Sequence, residues 1–87
     1  MKDLVEYIVK ALVDNPDKVS VRETQGETVT IIEVRTAPED AGKVIGREGR
    51  IANSIRNLTK AAAAKKNLKV TVEIITEDRE NKKEEAF

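Results

Sequence analysis

Two glycines three residues apart, Gly46 and Gly49, enclose Arg47 and Glu48 in the run Gly42-Lys43-Val44-Ile45-Gly46-Arg47-Glu48-Gly49-Arg50-Ile51. Glycines at this spacing allow a tight turn and a close approach by another backbone. The turn feeds directly into a predicted helix. The start of a helix carries unpaired N–H groups and a partial positive charge, so it favours a phosphate. Lys43, Arg47 and Arg50 add full positive charges around it. The chemistry this pattern suits is grip on a sugar-phosphate strand, with no bond broken. Other phosphate loops fit worse. No Gly-Lys-Ser or Gly-Lys-Thr occurs, so the P-loop pattern is absent. The glycines at 42, 46 and 49 do not make GxGxxG, and they follow a helix where the dinucleotide fingerprint follows a strand.

Bond-breaking chemistry finds little to work with. The chain has no histidine and no cysteine, and Ser20 and Ser54 are its only serines. Neither serine has an imidazole to activate it. A zinc site built from carboxylates alone is a poor ligand set. We therefore expect no enzyme activity, no metal and no cofactor. The N-terminus does not read as a signal peptide, because Asp3 and Glu6 interrupt the apolar region. No run approaches the ~20 apolar residues of a spanning helix. The expected location is cytoplasmic, with no membrane partner.

The elements that must hold the loop follow from periodicity. Leu4, Val5, Ile8, Val9, Leu12 and Val13 form one helical stripe over 3–13, with Asp3 as the predicted cap and Glu6 as its capping-box partner. Asp14-Asn15-Pro16 ends that helix. Residues 18–24 and 28–35 read as strands, joined by a hairpin at Gln25-Gly26 in which Gly26 is expected to take positive φ. The adjacent Ile31 and Ile32 require one of the two to face away from the main core, or a bulge. Pro38 suits the first position of a short helix ending near Ile45, with Ala41, Val44 and Ile45 inward. After the GxxG turn, a long helix is predicted over 50–64, with Ile51, Ile55, Leu58 and Ala62 on one face. Lys65-Lys66-Asn67 is a loop, and 68–75 is a third strand with Val70, Val72 and Ile74 on one face. The order is α-β-β-α-α-β, an α+β fold with three strands covered on one face by three helices. One domain, residues 1–76, is followed by a charged and flexible tail, 77–87.

Charge separates along the chain although the formal net charge is zero. Residues 42–69 hold eight basic residues and one acidic residue, and the rest of the chain carries the compensating negative charge. Such asymmetry points to a polyanion-binding face. Arg56 and Lys60, four apart, read either as a basic stripe or as solvated surface residues.

Val44-Ile45-Gly46-Arg47-Glu48-Gly49-Arg50-Ile51 resembles the GxxG core of KH domains. The element order is similar to the type II, bacterial form of that fold. The stretch from Ala37 to Gly46 further resembles the small single-KH proteins of bacteria, the KhpA type. The resemblance implies non-catalytic binding of single-stranded RNA, with the loop clamping about four nucleotides. It also implies a role as RNA chaperone or post-transcriptional regulator. Residue by residue, Gly46 and Gly49 would shape the loop, and Arg47 and Glu48 would be its variable positions. Arg50 and Asn53 would lie beside the groove. Ile45 and Ile51 would form its apolar floor or else belong to the core. Lys65, Lys66 and Asn67 would lie on the opposite rim, and Lys43 would flank the loop. Glu48 departs from an all-cationic loop and implies modest affinity. The resemblance implies a partner as well, either a larger Jag-like protein of the KhpB type or a second copy of the chain. The competing reading is a protein-interaction or dimerisation module in which the GxxG turn is only structural.

Overall fold

The first helix, α1 (Lys2–Leu12), forms where the apolar stripe predicts it, and it buries Val5 and Val9. Its start differs from expectation. Met1 is the cap residue and no side chain caps the helix, so Asp3 sits within the first turn. There its carboxylate still suits the positive end of the helix. The computed structural model describes residues 1–75. The tail expected over 77–87 lies outside the described residues.

A turn at Pro16–Lys18 leads into β1 (Ser20–Gln25), which pairs antiparallel with β2 (Thr30–Arg35). Both strands start two residues later than the alternation suggests. In the hairpin between them, Gly26 N donates to Val29 O at 2.8 Å. Gly26 does not take positive φ, unlike Gly46 and Gly49. It is glycine for another reason: a Cβ there would stand 2.9 Å from Val29 O.

A parallel strand pair needs a crossover. The crossover here contains a turn at Pro38–Asp40, then α2 (Ala41–Ile45), the GxxG loop and α3 (Arg50–Ala64). Then β3 (Val70–Ile75) pairs parallel with β2, which gives the order β1-β2-β3. The fold is α+β, with a mixed three-stranded sheet, as the element order predicts. Val21, Ile32, Val34, Val70 and Val72 join Val5, Val9, Val44 and Ile55 in one core. Ile31 resolves the isoleucine pair by pairing with Thr24 and Thr71 on the open face of the sheet, while Ile32 is fully buried.

The face of α3 is rotated from its predicted phase. Ala52, Ile55, Thr59 and Ala63 are buried, whereas Leu58 is 58% exposed. Thr59 is tolerated inside because its hydroxyl donates to Ile55 O at 2.7 Å. Of the three α2 residues expected inward, Val44 is fully buried, and Ala41 and Ile45 are half-buried.

Candidate nucleic-acid interface

Gly46 ends α2 with φ 76° and ψ 178°, a backbone state that only glycine reaches readily. A Cβ would also stand 2.6 Å from Ile51 Cγ1, so the bare α-carbon lets the loop close onto α3. Arg47 is helical, Glu48 is left-handed (φ 57°, ψ 25°), and Gly49 is left-handed (φ 76°, ψ 14°). A right-handed residue followed by a left-handed one aims successive amides into an anion-binding concavity. Gly46 N donates to Gly42 O at 2.8 Å and Gly49 N to Gly46 O at 3.2 Å, which fastens the turn at both glycines. No atom within 4 Å would meet a Cβ at Gly49, so that side of the turn is open. Arg47, Glu48 and Arg50 are all exposed around it.

The structure sorts the predicted site residues. Gly46, Arg47, Glu48, Gly49 and Arg50 form one continuous turn at the start of α3, and the half-buried Ile45 and Ile51 lie beside it. Asn53 is exposed one turn along. Its Oδ1 accepts from Arg56 Nη1 at 3.1 Å, while Arg56 Nε donates to Val72 O on β3 at 3.1 Å. Arg56 thus ties α3 to the edge strand and orients Asn53, a role that the four-residue spacing to Lys60 did not reveal. Lys65 and Lys66 are exposed at the far end of α3, about 22 Å from Arg50 at 1.5 Å per residue. They do not join the loop cluster.

Lys43 turns to the protein itself. Its ammonium lies 3.3 Å from Asp14 Oδ2 and 3.5 Å from Asp40 Oδ1. Asp40 is fully buried, yet it accepts from Asp14 N (3.3 Å), Asn15 N (3.0 Å) and Asn15 Nδ2 (3.0 Å). Burial by itself pushes the Asp40 carboxyl up. The Asn15 side chain, the Asn15 and Asp14 amides and the Lys43 charge outweigh burial and hold it below its ordinary 3.8. Hydrogen bonding to Asp14 and its charge, followed by Asp40, raise Lys43 above its ordinary 10.5 despite desolvation. This lock joins the exit of α1 to the entry of α2. Its only signal in the sequence is the Asp-Asn-Pro turn, whose amides need an acceptor from somewhere.

Among the described residues, no group of acidic side chains could hold a metal ion, and no helix is long and apolar enough to cross a membrane.

The chain is 59% identical over 75 residues to the RNA-binding protein KhpA of Clostridium perfringens, covering 86% of this chain and all of that one. It is 60% identical over 75 residues to the protein of the same name from Caldanaerobacter subterraneus, with the same coverage. It is 51% identical over 73 residues to that of Borreliella burgdorferi, covering 84% of this chain and 89% of the relative. No solved structure matches significantly. The family described as KhpA/KhpB, KH domain, matches residues 2–74, and the chain belongs to that family.

Proposed function

We propose that this protein binds single-stranded RNA without chemistry, gripping the backbone at the loop from Gly46 to Gly49. The observation that carries the reading is the right-then-left-handed turn at Arg47 and Glu48, with the exposed Arg47 and Arg50 beside it. The name RNA-binding protein, borne by relatives about 60% identical, supports it. In this reading the amides and arginines hold phosphates, and Asn53 addresses a base edge or ribose hydroxyl. Ile45 and Ile51 supply apolar floor. Lys65 and Lys66 reach only a strand long enough to run the length of α3. Lys43 adds least, because its ammonium is already engaged by two carboxylates. Glu48 opposes phosphate in part and keeps affinity modest.

The proposed cellular role is that of a cytoplasmic RNA chaperone or post-transcriptional regulator. A short footprint gains from a second module, either a Jag-like KhpB protein or another copy of this chain, through raised effective concentration. The test is a double change, Arg47→Asp with Glu48→Asp. Both positions are exposed, so the melting temperature should hold. RNA binding should fall at least tenfold. Unchanged binding would reject the loop as the contact and favour the protein-interaction reading.

A further inference from the structure

β3 returns alongside α3 in the opposite direction. Lys60 shares a surface depression with Val70 and Thr71, and further on Arg56 Nε donates to Val72 O at 3.1 Å. Three more residues at ~3.3 Å each carry β3 about 10 Å onward to Ile75. Six residues back from Arg56 at ~1.5 Å each cover about 9 Å and reach Arg50. Ile75 therefore comes level with the first residue of α3, where the GxxG turn ends. The sequence continues from there as Thr76-Glu77-Asp78-Arg79-Glu80 and on to Phe87. We infer that this C-terminal segment is a tethered competitor of RNA: Glu77, Asp78 and Glu80 occupy the Arg47 and Arg50 side of the GxxG loop, and RNA must displace them to bind. The inference rests on the RNA-binding reading of the loop above and adds a control on it.

Charge, reach and existing pairing all favour the loop as the seat of the segment. Residues 76–87 hold five acidic and three basic residues, and three of the five acids fall within the first five positions. An extended chain spans at most ~3.6 Å per residue, so Glu77, Asp78 and Glu80 stay within about 18 Å of Ile75. Arg47 and Arg50 are exposed, and among the described residues neither is paired with a carboxylate. Lys43 is the contrast, because Asp14 and Asp40 already hold it. A short tether places the acids at an effective concentration of about a millimolar beside the arginines. Surface ion pairs are individually weak, so RNA can displace the segment. The loop then opens only to RNA whose own contacts exceed those of the carboxylates. The family match ends at residue 74, so these acids lie outside the shared domain.

The experiment uses the full chain and reads both position and affinity. Because the chain has no cysteine, Asn81→Cys takes a single nitroxide label. Without RNA, the label should broaden the amide signals of residues 46–50, and saturating octa-uridylate should restore them. Glu77→Gln with Asp78→Asn and Glu80→Gln should abolish that broadening in the labelled chain. Without the label, the same triple change should tighten tetra-uridylate binding by about three- to tenfold at low salt, where exposed charges interact most strongly. The advantage should shrink as salt rises, because salt also releases the wild-type segment. If the broadening centres on Arg35, which pairs in register with Ile75, the acids rest on the strand end and the inference is overturned. It is overturned as well if octa-uridylate binds without relieving the broadening, since the two then occupy separate sites. Arg47→Asp with Glu48→Asp separates the two readings. If that pair leaves RNA binding unchanged, the loop reading itself fails. If it abolishes binding while the triple change leaves affinity at the wild-type value, the loop reading stands and the tethered competitor alone is overturned.

Discussion

At Gly46 the backbone state and the 2.6 Å approach of Ile51 act together, whereas at Gly49 only the positive φ demands glycine, since space is open there. The two should therefore respond differently to alanine. Gly49→Ala carries a left-handed penalty of about 1–2 kcal/mol. Gly46→Ala adds an overlap with Ile51 to a strained backbone, so a loss of about 3 kcal/mol or more is expected. Urea unfolding of the two variants checks this, and equal losses would contradict the geometry. Glu48 differs again, being a left-handed residue with a charge of the wrong sign for phosphate. Glu48→Lys should tighten RNA binding and steepen the salt slope by about 0.7, one phosphate on a single strand. Titrations at several salt concentrations measure both.

Between elements, the decisive contact is one that the sequence could not display. Asp40 reaches across 25 and 26 residues to the amides of Asn15 and Asp14, and only the folded chain brings them together. Its pH signature has a definite sign. A carboxyl held below its ordinary value contributes stability that is fully present above 3.8 and is lost as pH falls through the lower folded value. Asp40→Asn should melt well below wild type at pH 7, and the gap should close only as the pH falls below 3.8 and through the lower folded value, beneath which wild-type Asp40 is itself neutral. Thermal melts from pH 7 to pH 2 test this; a constant gap would show that the charge is irrelevant to the lock. Much else at this scale was legible. The periodicity of Val5, Val9 and Val13 located α1, the glycine pair located the break between α2 and α3, and β-branched runs located all three strands. Phase within α3 was not legible. Leu58 and Thr59 are i+3 and i+4 from Ile55, so both keep helical spacing, and the alanines from 61 to 64 carry no phase information. The sequence favours Leu58 by hydropathy. The fold chooses Thr59, whose hydroxyl finds its acceptor within the same helix. The role of Arg56 was hidden for a similar reason, because a free carbonyl on an edge strand has no sequence mark.

Across the whole molecule, zero net charge conceals a polar arrangement. Positive residues gather on α3 and the loops at its two ends, while α1, β1 and β2 are each internally balanced and the acidic excess of residues 1–41 sits in the connections, at Asp14, Asp17, Glu27, Glu39 and Asp40. The hairpin from Gln25 to Thr30 lies beside Asn67, Leu68 and Lys69, at the opposite end of α3 from the GxxG turn. Its Glu27 is thus roughly 20 Å from the loop along the helix. The Debye length is ~8 Å at physiological salt, so charges that far apart are largely screened from one another. Local placement, not total charge, should then govern binding. Glu27→Lys raises the net charge by two yet should leave tetra-uridylate affinity within about twofold of wild type at physiological salt. Arg50→Glu lowers it by two at the loop and should weaken the same oligomer at least tenfold. At low salt the screening length grows to ~30 Å, and the Glu27 variant should begin to bind more tightly. If both variants shift affinity by equal and opposite amounts at physiological salt, the molecule attracts RNA as a diffuse charge, and the loop is not a distinct site.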